Sequence, residues 1–257
     1  ANRGIGLEFV KQFVQLPNPP RLMFATYRDE NTIQDLKQIK DESEKTQVVL
    51  IKMDITKEKE IEDAKKIVED IAGDKGLNLL INNAGVAKLQ GFPDITEDNL
   101  LFHFTTNTVG PVMVVKAMYP LLQKSAALKS SGMNVSRSAV LNISAELGSI
   151  SELKPSDDKF SLMPLGYRTS KVALNMAMRV IALTVQDQGI LVVSMCPGWV
   201  KTDMGSPIAM LEVSESISDM MKTLSQLNDT HNGSFWTGKE KSFLFEEISL
   251  DFVLLLS

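Results

Sequence analysis

Cysteine, histidine and the long apolar run are what this 257-residue sequence has least of. There is one cysteine, Cys196, so no internal disulfide is available and the composition fits a reducing, cytoplasmic compartment. Two histidines, His103 and His231, and that single thiol cannot assemble a His/Cys metal cluster, so no metal is expected and both are read as packed or surface residues. No run of 18 apolar residues occurs, which argues against a membrane-spanning helix; the apolar end Phe252-Val-Leu-Leu-Leu is too short to span. Nor is there a basic surplus. The net charge of −5 argues against a nucleic-acid partner.

What the sequence does have is β–α alternation. Apolar runs rich in β-branched residues fall at 21–27, 47–55, 77–82, 139–144 and 190–195. They are continuous rather than alternating, as in strands buried on both faces of a parallel sheet. Helical patterns lie between them at 5–16, 30–43, 57–72, 98–124, 166–188 and 208–226. The segment 57–72 carries Ile61, Ala64, Ile67, Val68 and Ile71 on one predicted face. The alternation predicts an α/β fold, a doubly wound parallel sheet in a single domain over 1–257. Residues 125–137 read as a mobile surface excursion, and 151–165 as a loop shaping whatever lies above residue 167.

The sequence opens inside a glycine turn, ANRGIG, with no strand before it. The expectation is a truncated fragment whose central N-terminal strand is missing, leaving two strands without a neighbour and cofactor binding weak. The turn itself, with Gly4 and Gly6 opening a helix, can cradle a phosphate on free N–H groups; a plain tight turn is the bland alternative. At the end of the next strand, RLMFATYR places Arg28. With Arg3 it offers two guanidiniums for a 2′-phosphate, a preference for NADP(H) over NAD(H) that the adjacent Asp29 tempers. Arg28 as a solvated strand-end residue is the competing reading.

Five short motifs in order and at matching spacing resemble the short-chain dehydrogenase/reductase family, in its branch of sniffer-like carbonyl reductases and C-factor proteins. They are ANRGIG at 1–6, NNAG at 82–85, Asn107 in TTNTVGP, YRTSK at 167–171 and CPGWVKTDM at 196–204. The likeness covers roughly residues 1–240, and the end, 241–257, is atypical. It implies a Rossmann-type fold and hydride transfer between a nicotinamide and a small carbonyl or alcohol. The implied catalytic residues are Tyr167, Lys171, Asn107 and Ser144. The implied cofactor-binding residues are Asn2, Arg3, Gly4, Ile5, Gly6, Arg28, Asp54, Ile55, Asn83, Ala84, Gly85, Tyr167, Lys171, Pro197, Gly198, Val200 and Thr202. Tyr167 is the implied general acid/base. On one helix, residues i and i+4 share a face, so the Lys171 ammonium is expected to lower the phenol's pKa toward neutrality. The same pair as an ordinary exposed helix face is the alternative.

One position departs from the family. It places a second serine where Ala145 stands, and alanine donates nothing, so either Ser144 or Ser149 substitutes, Ser144 being preferred, or the enzyme is slow or inactive. This keeps a second function open, a dinucleotide-fold signalling or binding protein with weak or no catalysis. Finally, TSKVALNMAMRVIALTV is apolar almost all round, which predicts a homodimer or burial beneath 206–230.

Overall fold

The computed structural model describes residues 1–129, 131–154, 162–236 and 250–256. Seven parallel strands form one sheet among them: β1 (Leu22–Tyr27), β2 (Gln47–Lys52), β3 (Leu79–Asn82), β4 (Ala139–Ile143), β5 (Leu191–Met195), β6 (Phe235–Trp236) and β7 (Phe252–Leu255), in the order β2-β1-β7-β3-β4-β5-β6. Three helices, α1 (Gly4–Val14), α2 (Gln34–Glu42) and α7 (Val213–Gln226), pack on one face through Phe9, Phe13, Leu36, Met220 and Leu224. On the other face lie α3 (Glu58–Ala72), α5 (Gly110–Ala127) and α6 (Leu165–Thr184), through Val68, Met118, Leu121, Leu174 and Met178. A seventh helix, α4 (Glu97–Phe104), runs into α5 through a π-turn at Thr105–Val109.

The central slot is filled. β7 pairs with β1 on one side, Leu22 opposite Phe252, and with β3 on the other, Leu79 opposite Val253. Its side chains alternate faces as a strand must. Phe252, Leu254 and Leu256 join the α3/α5/α6 core; Val253 and Leu255 join the α1/α2/α7 core. All five are 0–1% exposed. At ~1.5–3 kcal/mol for each large apolar side chain, this segment is among the strongest contributors to the core. The expectation of two unpartnered neighbours is therefore corrected: part of the end that read as atypical supplies the missing centre. Residues 241–249 lie outside the described residues.

Smaller corrections follow the same logic. On α3, Ile61, Ala64 and Val68 are buried, while Ile67 and Ile71 are 40% and 41% exposed, because the buried stripe is narrower than the apolar pattern. The described residues of 125–137 are not a loose excursion. Val135 is 2% exposed, and the Arg137 guanidinium donates to the carbonyls of Ala126 and Gly132. In 151–165, residues 155–161 lie outside the described residues.

Candidate active site

The C-terminal ends of β1, β7, β3, β4 and β5 meet along one edge of the sheet, where parallel strands leave a crevice at the topological switch point. The glycine turn sits there. Gly4 takes φ +51, and a Cβ on Gly6 would fall 2.8 Å from Asn83 Nδ2 and 3.0 Å from Ala1 Cα. Only glycine lets α1 begin that close to β3. Asn83 Nδ2 also donates to the Leu256 carbonyl, so the end of β7 and the start of α1 share one anchor. The Ala1 nitrogen donates to Thr26 O at the end of β1.

Helix α6 carries the expected tyrosine and lysine. Tyr167 and Lys171 lie one turn apart, with the Lys171 ammonium 5.8 Å from the centroid of the Tyr167 ring. Lys171 is 4% exposed and donates to Ile143 O at 2.7 Å, which fixes it at the end of β4. Burial lowers its pKa from 10.5 to about 8. The Tyr167 phenol moves opposite to expectation. Burial pushes it well above the usual tyrosine value, with the nearby Cys196 adding to the shift. Desolvation of the phenol outweighs the field of the lysine one turn away. The phenol is thereby held protonated.

Asn107 is fully buried in the π-turn, where the local i→i+5 bonding turns its side chain out of the ordinary helical path. Its Oδ1 accepts from Val86 N at 2.9 Å, and its Nδ2 donates to Val86 O at 2.9 Å and Ser170 Oγ at 3.0 Å. It clips the loop following β3 onto α6. The Cβ position of Gly85 lies 3.5 Å from Asn107 Oδ1 and 3.8 Å from Lys171 Nζ, so the NNAG turn, Asn107 and Lys171 do come together. Ala84 packs against the α3/α5/α6 core.

Ser144 is placed differently. It is 2% exposed, and its hydroxyl donates to Asn175 Oδ1 at 2.7 Å. Asn175 in turn donates to Gly148 O. Asn175 was missed in the sequence, although it follows Lys171 by four residues on the same helical face. Gly148 was missed too. A Cβ there would strike Lys171 Cβ at 2.8 Å, so glycine lets the turn after β4 seat the lysine.

The remaining expected cofactor residues lie around the glycine turn and the ends of β1, β2 and β5. Arg3 Nη1 pairs with Asp203 Oδ2 at 2.8 Å, and the guanidiniums of Arg3 and Arg28 both act on the Ala1 amine. Asn2 donates to Thr32 Oγ1. Ile5 packs on the core and Ile55 is buried against Gly110. Burial raises the Asp54 pKa, but the bonds from Thr56 N and Oγ1, with the fields of Lys57 and Arg28, bring it below the usual value. Beyond β5, Gly198 takes φ +80, Pro197 O accepts from Ser216, Val200 is buried, and Thr202 Oγ1 accepts from Gly205 N while its methyl lies 3.3 Å from the Cβ position of Gly4. A groove of about 720 Å³ between 132–136 and 225–230 lies where β4 and β6 begin, away from this chemistry.

A family model described as short chain dehydrogenase matches residues 1–211. The chain belongs to the short-chain dehydrogenase family. Two solved family structures are similar to it throughout. Carbonyl reductase Sniffer of Drosophila melanogaster is 36% identical with a TM-score of 0.86, covering 92% of this chain and 93% of that one. The NADPH-bound carbonyl reductase from chicken fatty liver is 36% identical with a TM-score of 0.87, covering 95% and 91%. C-signal of Myxococcus xanthus is 33% identical over 161 residues, 62% of this chain and 87% of that protein. This short-chain dehydrogenase thus brings a protonated phenol, a buried lysine and a glycine-lined crevice to one edge of its sheet. That arrangement can donate a proton to an oxygen placed at Tyr167. Among the described residues no group of three or more His, Cys, Asp or Glu could hold a metal.

Proposed function

We propose that this short-chain dehydrogenase is an NADP(H)-dependent reductase of small carbonyl compounds, with Tyr167 as the general acid/base. The observation that carries the reading is the meeting of Tyr167, Lys171, Asn107 and the Gly85 turn at the ends of β3 and β4. The residues fit a dinucleotide. The free N–H groups of α1 and the close approach permitted by Gly4 and Gly6 suit its phosphates, Arg28 a 2′-phosphate, Gly85 and Lys171 the nicotinamide ribose, and Thr202 the carboxamide side. Bound there, the nicotinamide supplies the hydride. The phenol of Tyr167, held protonated by burial, donates its proton to the oxygen that becomes an alkoxide. Lys171 keeps the phenol oriented from its tie to Ile143, and Asn107 keeps the Val86 loop in place beside it. The 36% identity to carbonyl reductases over nearly the whole chain supports the same substrate class.

NADPH oxidation against a panel of quinones and small ketones tests this. Tyr167→Phe is expected to lower kcat/KM by ~10²–10⁴; full activity in that variant rejects the assignment. A second reading, a dinucleotide-binding protein with slow chemistry, is favoured by one observation. Ser144 directs its hydroxyl at Asn175, Ala145 has none, and the Ser149 hydroxyl is paired with that of Ser151, so neither candidate serine is aimed at a substrate oxygen as the turn stands. A missing oxyanion donor costs ~10²–10³ in kcat, so turnover slow by that factor with tight NADPH binding would select it.

We also propose a homodimer through α6. Met176, Val180 and Leu183 are 63%, 55% and 51% exposed along one side of that helix, with Leu101 and Val109 also exposed nearby on the α4/π-turn segment. Burial beneath 206–230 does not occur, since α7 packs on the opposite face of the sheet. Sedimentation velocity giving a monomer at micromolar protein would reject this. The single free, buried Cys196 fits a cytoplasmic setting.

A further inference from the structure

His103 is a titratable group that the proposed chemistry does not use, and it is completely buried. Both ring nitrogens are engaged. Nε2 accepts from Lys88 N at 3.0 Å, so Nδ1 carries the proton and donates to Asn99 O at 2.7 Å. The imidazole edge meets the Tyr167 ring at 75°, with 6.3 Å between centroids. A Cβ on Gly166 would lie 2.7 Å from Nδ1, so the first turn of α6 presses directly on the ring. Three pieces therefore converge on one side chain: α4, the loop after β3, and the turn that carries Tyr167.

The loop after β3 is tied at alternate residues. Val86 is held by Asn107, Lys88 by His103, and Gln90 by Leu165 N and the bridge to Pro164. His103 is the middle tie and the one that can titrate. Building on the reading of Tyr167 above, we propose that His103 is a positioning residue that sets the Tyr167 ring against the 86–90 loop, and that protonation at Nε2 releases this setting. An imidazolium has no lone pair for Lys88 N–H, and two N–H groups would then face each other across 3.0 Å. The titratable and charged groups facing the ring are Tyr167 from α6 and Lys88 from the loop, whose ammonium rests 4.2 Å from the Phe102 ring centroid. Burial, opposed by the Asn99 carbonyl and aided by Lys88, keeps the imidazole pKa below its ordinary 6.5. The neutral tie is thus the state at neutral pH, and it fails as pH falls through that lowered value.

The test is kcat/KM for NADPH-dependent carbonyl reduction between pH 5 and 8, with thermal melting and NADPH binding measured alongside. Wild type should lose about tenfold per pH unit below an apparent pKa under 6.5. His103→Gln supplies both an acceptor for Lys88 and a donor for Asn99. It should retain activity within about threefold at pH 7.5 and lose the acid limb. His103→Phe fills the space without an acceptor and should lower kcat by about tenfold at every pH, with NADPH binding intact. An unchanged acid limb in His103→Gln, or full activity in a folded His103→Phe, overturns the proposal. Tyr167→Phe separates the two ideas. If that variant is inactive and the acid limb survives in His103→Gln, only the role of His103 falls. If Tyr167→Phe is active, the reading of Tyr167 falls with it.

Discussion

The two ends of the crevice are built differently. At the α6 end, Asn107, Lys171, Ser144 and His103 are each less than 5% exposed, and each donates or accepts bonds across two or more elements. At the glycine-turn end, Arg3 and Asp203 have side chains 66% and 78% exposed and are joined by one ion pair in water. Low dielectric makes each interaction at the first end strong, and each broken one expensive. Solvent screens the second end. Geometry for proton transfer must be fixed before substrate arrives, whereas phosphate recognition tolerates side chains that settle on the ligand. Substitutions at the two ends should therefore differ in size and in sign.

The largest contrast is expected at Lys171. Holding its ammonium at a pKa of about 8 instead of 10.5 costs the fold about 3 kcal/mol at neutral pH. The sign is as follows: between those two values the unfolded chain binds the proton more tightly, so the cost is fully present below pH 8 and is relieved as pH rises toward 10.5. Lys171→Met keeps the volume of the stem, removes the charge and leaves the Ile143 carbonyl without its donor, taking back ~1 kcal/mol. The variant should be more stable than wild type by about 2 kcal/mol at pH 7 in urea unfolding. The gap should close by pH 10.5, and carbonyl reduction should fall at least ~10²-fold. A variant less stable at pH 7 would mean that the lysine is structural rather than held at a cost for function.

How far the sequence discloses each end follows from the same contrast. Continuous apolar runs disclosed the parallel strands, and the i, i+4 relation disclosed Tyr167 with Lys171, because both depend on local periodicity. The place of 252–255 was not legible. FVLL states only that the segment seeks burial, and the slot between β1 and β3 is decided by partners more than 170 residues away. The partner of Ser144 escaped for the same reason, since Asn175 is 31 residues away. His103 read as a packed residue, and it is one. Its meaning came from the Lys88 amide and the Tyr167 ring brought to it by tertiary structure. The Arg3–Asp203 pair, 200 residues apart, was equally invisible, and it gives the Arg3 guanidinium a carboxylate partner that the sequence did not suggest.

That pair gives the smallest expected effect and the sharpest check of the comparison. An exposed ion pair contributes ~0.2–1 kcal/mol before screening by salt. Asp203→Asn keeps the side-chain shape and an acceptor oxygen while removing the charge. Its melting temperature should stay within about 2 °C of wild type, and the difference should vanish at 0.5–1 M salt, roughly where the Debye length falls to a few ångströms. NADPH should bind equally well or a few-fold more tightly, since a carboxylate competing for the Arg3 guanidinium has gone. A drop of more than ~5 °C that persists at high salt would show that the glycine turn is held as rigidly as the α6 end, and the division between a fixed chemical end and an adaptable phosphate end would have to be abandoned.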